Sequence, residues 1–127
     1  MDLDKIAELF GVHVIETYDL RPDWDGMYLH HRRLVLLRKG LDHWKRRSIL
    51  AHELGHVYYG DEIHGDTRLE KRANEYAALL LISKDEYRAA ELIHGPHPGA
   101  IAHELGVTPD VVTTWREIHA RVSYQNG

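Results

Sequence analysis

His52, Glu53 and His56 stand in the order His-Glu-x-x-His within Ala51-His-Glu-Leu-Gly-His56. Side chains four apart on an α-helix project from one face, so both imidazoles can reach a single metal ion while the carboxylate beside them reaches an attacking water. The chemistry would be metal-assisted hydrolysis, with Glu53 as general base. The chain holds 11 His in 127 residues, and chance supplies such a pentapeptide at this composition with a probability of roughly 0.07. The elements that position these residues must therefore be legible as well.

Residues 42–59 contain no proline, and Ile49, Leu50, Leu54, Val57 and Tyr58 recur at helical spacing until Gly60, which predicts a helix that carries the motif. Gly55 inside that helix costs about 1 kcal/mol relative to Ala, a cost that fits close packing by another element. Upstream, Leu3, Ile6, Ala7, Leu9 and Phe10 give a short amphipathic helix stopped by Gly11, and Val12 to Tyr18 alternates as a strand. After the turn-rich stretch from Arg21 to Gly26, Met27–His30 and Arg33–Leu37 read as two strands around a tight His30-His31-Arg32 connection. Downstream come a helix from Thr67 to Ile82, a helix capped by Ser83 and running to Ile93, a break at Gly95-Pro-His-Pro-Gly99, and two tail helices. These last span Ala100–Leu105 and Pro109–Val122, with Thr108 as N-cap and Pro109 at the first helical position. The expected class is α+β, a mostly helical, zincin-like minimal domain with a small three-stranded antiparallel sheet ahead of the motif helix. Residues 1–127 are expected to form one domain.

Composition narrows the chemistry. The sequence has no cysteine, so a metal would be held by His, Asp or Glu rather than by thiolates. The first residues lack the basic-then-apolar order of a signal peptide, and no apolar run approaches the ~20 residues of a membrane span, so a cytoplasmic protein without a membrane partner is expected. The net charge of −4 argues against nucleic-acid binding by the whole surface. Arg32-Arg33 and Lys45-Arg46-Arg47 read as solvated faces of a strand and a helix.

A catalytic zinc takes three protein ligands and keeps one position open, so a third ligand is needed. The metzincin spacing would require Gly at 59 and His at 62, where this chain has Tyr59 and Glu62, and Met1 and Met27 offer no methionine turn. Asp61 and Glu62 follow the helix end so closely that they read as loop carboxylates. Glu70 and Glu75 lie on the next helix, the arrangement in which two helices converge on one ion. Asn74, one turn along from Glu70, can hold the second nitrogen of a ligand imidazole. Glu70 is the favoured ligand, and Glu75 reads as a solvated charge.

Arg47-Ser-Ile-Leu-Ala-His-Glu-Leu-Gly-His56 and Glu70-Lys-Arg-Ala-Asn-Glu-Tyr-Ala-Ala-Leu-Leu-Leu-Ile82 resemble the two blocks of the ImmA/IrrE family of metallo-endopeptidases, gluzincin-like zinc proteins of bacteria, phages and mobile elements. The resemblance implies Zn²⁺ held by His52, His56 and Glu70, with Glu53 as the catalytic base. It also implies a regulatory protein substrate, such as a helix-turn-helix repressor of phage type or an antitoxin. Two departures stand out: Ile82-Ser83 replaces the family's usual Met-Pro, and Gly60 stands where a His often follows the motif helix. A donor for the oxyanion would then come from Tyr58, Tyr59, His64, His94 or His97, each of which also has a structural or solvent-facing reading.

The tail, Ala102 to Trp115, has the small-residue, Gly-turn and apolar spacing of a helix-turn-helix. The start of its second helix, Asp110 to Thr114, carries no Arg, Lys, Asn or Gln for reading bases, so no nucleic-acid partner is expected. The competing reading of the whole chain is a zinc-containing regulatory protein that acts through contacts and has no proteolytic activity.

Overall fold

The computed structural model describes residues 2–126. Its elements are α1 (Leu3–Leu9), β1 (His13–Thr17), β2 (Gly26–Leu29), β3 (Leu34–Arg38), α2 (His43–Tyr59), α3 (Thr67–Leu81), α4 (Lys84–His94), α5 (Pro98–Leu105) and α6 (Pro109–Asn126). The α+β class holds, and every helix and strand expected from periodicity is present to within a few residues.

The sheet differs from the antiparallel one expected. Its order is β1-β3-β2, with β1 parallel and β2 antiparallel to β3. The reason lies in Arg38 at the end of β3. The loop leaving β1 crosses over that end to begin β2, and the Arg38 guanidinium holds the crossing, donating to the Arg21 carbonyl at 2.7 Å, the Trp24 carbonyl at 2.6 Å and Asp25 Oδ1 at 3.1 Å. Each acceptor belongs to the loop, so one fork of donors satisfies backbone that the sheet leaves open. The β2–β3 connection is a single 3-10 turn, His30–Arg32, closed by Arg33 at φ 49°. A non-glycine residue there is unusual, and Arg33 is held by donating to the Tyr28 hydroxyl at 2.6 Å and to the Phe10 carbonyl.

Helix α2 runs through the middle of the molecule. Ser48, Leu50, Ala51 and every residue from Glu53 to Val57 are buried, because the sheet covers one side through Tyr28, Val35 and Leu37 while α3 covers another. At Gly55 the backbone of α3 lies directly against α2. A Cβ built there would lie 2.9 Å from the Cα and 3.0 Å from the carbonyl oxygen of Ala73, so only glycine lets the two backbones approach this far.

Gly60 closes α2 at φ 66° and Ser83 caps α4, as expected, with Glu86 completing a capping box; Asp66, read only as part of a loop, caps α3. The tail packs onto α2 and α3. Trp115 stacks on Tyr87 and donates from Nε1 to the Ile82 carbonyl at 3.0 Å. Arg47 donates to the Leu105 and Gly106 carbonyls at 2.9 and 3.2 Å, and Ser48 Oγ accepts from the Thr108 amide at 3.1 Å. Arg33 and the Lys45-Arg46-Arg47 stretch are thus engaged within the fold rather than simply solvated, while Arg32 is exposed. Arg46 spans Glu16 and Asp4, and Lys45 meets Asp25. Among the described residues, no helix is long and apolar enough to cross a membrane.

Candidate metal centre

One turn of α2 separates His52 from His56, and their Nε2 atoms come within 3.2 Å of each other. Glu70, in the first turns of α3, brings Oε2 to 2.9 Å from His52 Nε2 and 2.6 Å from His56 Nε2. All three donor atoms lie within 4.8 Å of one another, close enough to hold one metal ion.

The other ring nitrogens decide what these three atoms face. His52 Nδ1 stands 2.6 Å from Asn74 Oδ1, and His56 Nδ1 stands 2.9 Å from Asp61 Oδ2. Each Nδ1 therefore donates to an oxygen, which turns the lone pair of each neutral ring's Nε2 toward Glu70 and toward the other ring. Two imidazole lone pairs and a carboxylate oxygen directed at one point repel each other unless a cation lies between them. Two nitrogens and an oxygen with no thiolate are a donor set that suits zinc. Protonation is the alternative way to supply the charge, and the titration behaviour reflects it. Hydrogen bonding from His52, with both rings nearby, lowers the Glu70 carboxyl from 4.5 to about 2 against the opposing effect of its burial. Burial works against a charged His52, but the Glu70 and Glu53 carboxylates outweigh it and raise the ring above its usual 6.5.

Glu53 sits next to the cluster without joining it and is 6% exposed. Burial raises its carboxyl above the usual value, with the two motif imidazoles pulling the other way. Gly26 at the start of β2 makes room for it, since a Cβ there would lie 3.0 Å from Glu53 Oε2 and 2.7 Å from Ile49 Cγ2. The cavity over the cluster, about 180 Å³, is lined by all four of these residues and by Trp24, Gly26, Met27, Ile49 and His64.

Asp61 is a loop carboxylate outside the cluster, as expected, but it is buried and bound to a ligand ring. It is 7% exposed, and besides accepting from His56 it accepts from Arg72 Nη2 at 2.6 Å. The left-handed Gly60 turns the chain back over the last turn of α2, where the Asp61 amide donates to the His56 carbonyl at 2.9 Å. A glycine four residues after the second His, ending the helix and followed at once by an acid, is the signal that could have found it. Arg72 in turn lies over the Tyr59 ring at 3.9 Å. Glu75 is elsewhere, paired with Arg121 at 3.0 Å.

Of the residues considered as oxyanion donors, His64 alone lines the cavity over the cluster. It is held by its Nε2 donating to the Tyr28 carbonyl at 2.8 Å, edge-on to Trp24. Tyr58 and Tyr59 group with Tyr76, His94 faces Glu104, and His97 precedes α5. The start of α6, the second helix of the tail, is turned toward the α2–α3 surface, where Asp110, Thr113 and Thr114 line a groove that reaches His52.

Residues 7–114 match the peptidase family described as the IrrE N-terminal-like domain. The match spans both sequence blocks and most of the 127 residues, and the chain belongs to that family. Membership points to a metallopeptidase, in agreement with a cluster able to hold a metal. No curated protein matches the chain.

Proposed function

We propose that this member of the IrrE N-terminal-like domain family is a zinc-dependent endopeptidase, with His52, His56 and Glu70 as zinc ligands and Glu53 as general base. The observation that carries the reading is the convergence of three acceptor atoms, each imidazole locked through Nδ1 onto an oxygen. That arrangement suits a bound cation, and three ligands leave a position open for reactants.

When bound, the ion supplies a Lewis acid that polarises the scissile carbonyl and acidifies the attacking water. Glu53 takes the proton of that water on its carboxylate and passes it to the leaving amine. Its burial favours this role, because a carboxyl held above its usual pKa accepts a proton more readily at neutral pH. Asn74 and Asp61 keep the two rings oriented, and Arg72 keeps Asp61 in place. His64 Nε2 donates to the Tyr28 carbonyl, so Nδ1 of the neutral ring is an acceptor, and only the doubly protonated imidazolium would donate from Nδ1 to an oxyanion in the cavity.

The substrate is a protein, and the reading extends to a regulatory one, a helix-turn-helix repressor or an antitoxin encoded beside this chain. The test mixes the zinc-loaded protein with the products of whatever repressor- or antitoxin-like genes lie beside its own and follows their length by mass spectrometry. One cut should appear in the wild-type mixture and none with Glu53→Gln, which should still bind one zinc. Cleavage that persisted in Glu53→Gln would refute the assignment of the base. A zinc-saturated wild type that left every adjacent regulator whole would favour the non-proteolytic reading.

A further inference from the structure

A groove of about 440 Å³ runs between α2, α3 and the first turns of α6, outside the cavity over the metal cluster. The two spaces share walls, because His52 and Ile49 line both. A chain lying across the cluster would therefore present a neighbouring side chain to this groove. Its volume is in the range of sites that enclose ligands.

The lining has a definite chemistry. Ile49, Ala77 and Val111 give an apolar floor, and Thr114 and Asn74 put polar groups on the walls. Asp110 is exposed and lines the same groove. No Lys or Arg lines it, and no cation among the described residues lies within ion-pair distance of Asp110. The groove is also held in shape. Arg47 and Ser48 pin the turn before α6 to the first half of α2, and Trp115 anchors the same helix one turn further on. An acid at the start of a helix is favourable in itself, but that effect does not explain why it lines a groove opening onto His52.

We propose that this groove is the subsite for a substrate residue beside the scissile bond, and that it selects a long basic side chain, Lys or Arg. The methylene stem lies over Ile49, Ala77 and Val111, and the charged head meets Asp110. The assignment rests on the peptidase reading above and adds to it the class of residue that is cut beside.

Two measurements test it separately from that reading. In the first, Nα-acetyl-arginine amide and its norleucine counterpart are titrated into the zinc-loaded protein and followed by amide shifts. The arginine probe should move Ala77, Val111 and Thr114 and bind about tenfold more tightly than norleucine. Asp110→Asn should remove that difference, a factor of ten being the scale of one such contact. Equal binding of the two probes, or shifts confined to other surfaces, would overturn the proposal. In the second, a random peptide library is digested and its cut sites are sequenced. Lys or Arg should be enriched at one fixed position beside the cut, and Asp110→Asn should reduce that enrichment about tenfold. Cleavage without basic enrichment would leave the peptidase reading standing and refute the subsite. Arginine binding by a protein that cuts nothing would refute the peptidase reading, and with it the groove's role toward a substrate.

Discussion

Gly55→Ala places one methyl group where the backbones of α2 and α3 meet, and the two halves of the candidate metal cluster lie on those helices. The new Cβ would meet Ala73 at 2.9 Å from its Cα and 3.0 Å from its carbonyl oxygen. Both atoms are backbone, so no rotamer change relieves the contact. Restoring an ordinary separation requires the helices to part by roughly 0.5–1 Å. Removing a glycine from a helix contributes about 1 kcal/mol in favour of the variant, whereas overpacking costs about 1–3 kcal/mol. The net loss of stability should be under about 2 kcal/mol, and the protein should remain folded. Metal sites tolerate distance errors of only about 0.2 Å, and Glu70 moves with α3 while His52 and His56 stay with α2. Zinc affinity should therefore fall at least about tenfold, far more than the change in stability suggests. Competition against a chromogenic chelator gives the affinity, and thermal unfolding of the metal-free protein gives the stability. Wild-type zinc affinity in a folded Gly55→Ala protein would refute the idea that this close approach sets the ligand geometry.

Other perturbations separate the roles of neighbouring groups. Asp61→Asn keeps an acceptor for His56 but removes the charge that Arg72 holds, so zinc affinity should drop roughly tenfold; an unchanged affinity in the same competition assay would make Asp61 a purely structural residue. The pH dependence of metal-free stability follows from the two titrating partners. Glu70, lowered from 4.5 to about 2, contributes stability above its unfolded value that is lost as pH falls toward 2. His52, raised above 6.5, contributes stability below 6.5 that is lost as pH rises through its raised value. Metal-free protein should thus melt highest between these limits and lower by pH 8, while the gain in melting temperature from zinc should grow over the same interval as protons leave the rings. A zinc-induced gain that is constant from pH 5.5 to 8 would contradict protons and metal competing for one site.

What could be read from the sequence was what helical periodicity carries. His52 and His56 share a face because they are four apart, and Glu70 and Asn74 share another for the same reason, so each half of the cluster was legible locally. Ser83 and Gly60 marked helix ends through their own side-chain and backbone chemistry. What escaped depends on the chain meeting itself at a distance. The strand order turns on Arg38 gripping a loop, with partners up to 17 positions away. Asp61 read only as a loop carboxylate, and its hold on His56 arises where the Gly60 turn lays it over that ring and α3 brings Arg72 to its other oxygen. The packing of α6 beside His52 rests on Arg47 and Ser48, polar residues whose partners lie 58 to 60 positions away. A helix-turn-helix pattern read along the sequence says nothing of which face ends up against the site.

The proposed site is a single zinc on His52, His56 and Glu70 with Glu53 beside it. A crystal structure of the zinc-loaded protein, with anomalous scattering collected on both sides of the zinc edge, tests it most directly. One zinc peak should lie about 2.0–2.2 Å from His52 Nε2, His56 Nε2 and Glu70 Oε2, with a non-protein fourth ligand facing Glu53. A peak that takes Glu53 or Asp61 as a fourth protein ligand, or no peak between the two helices, would contradict it.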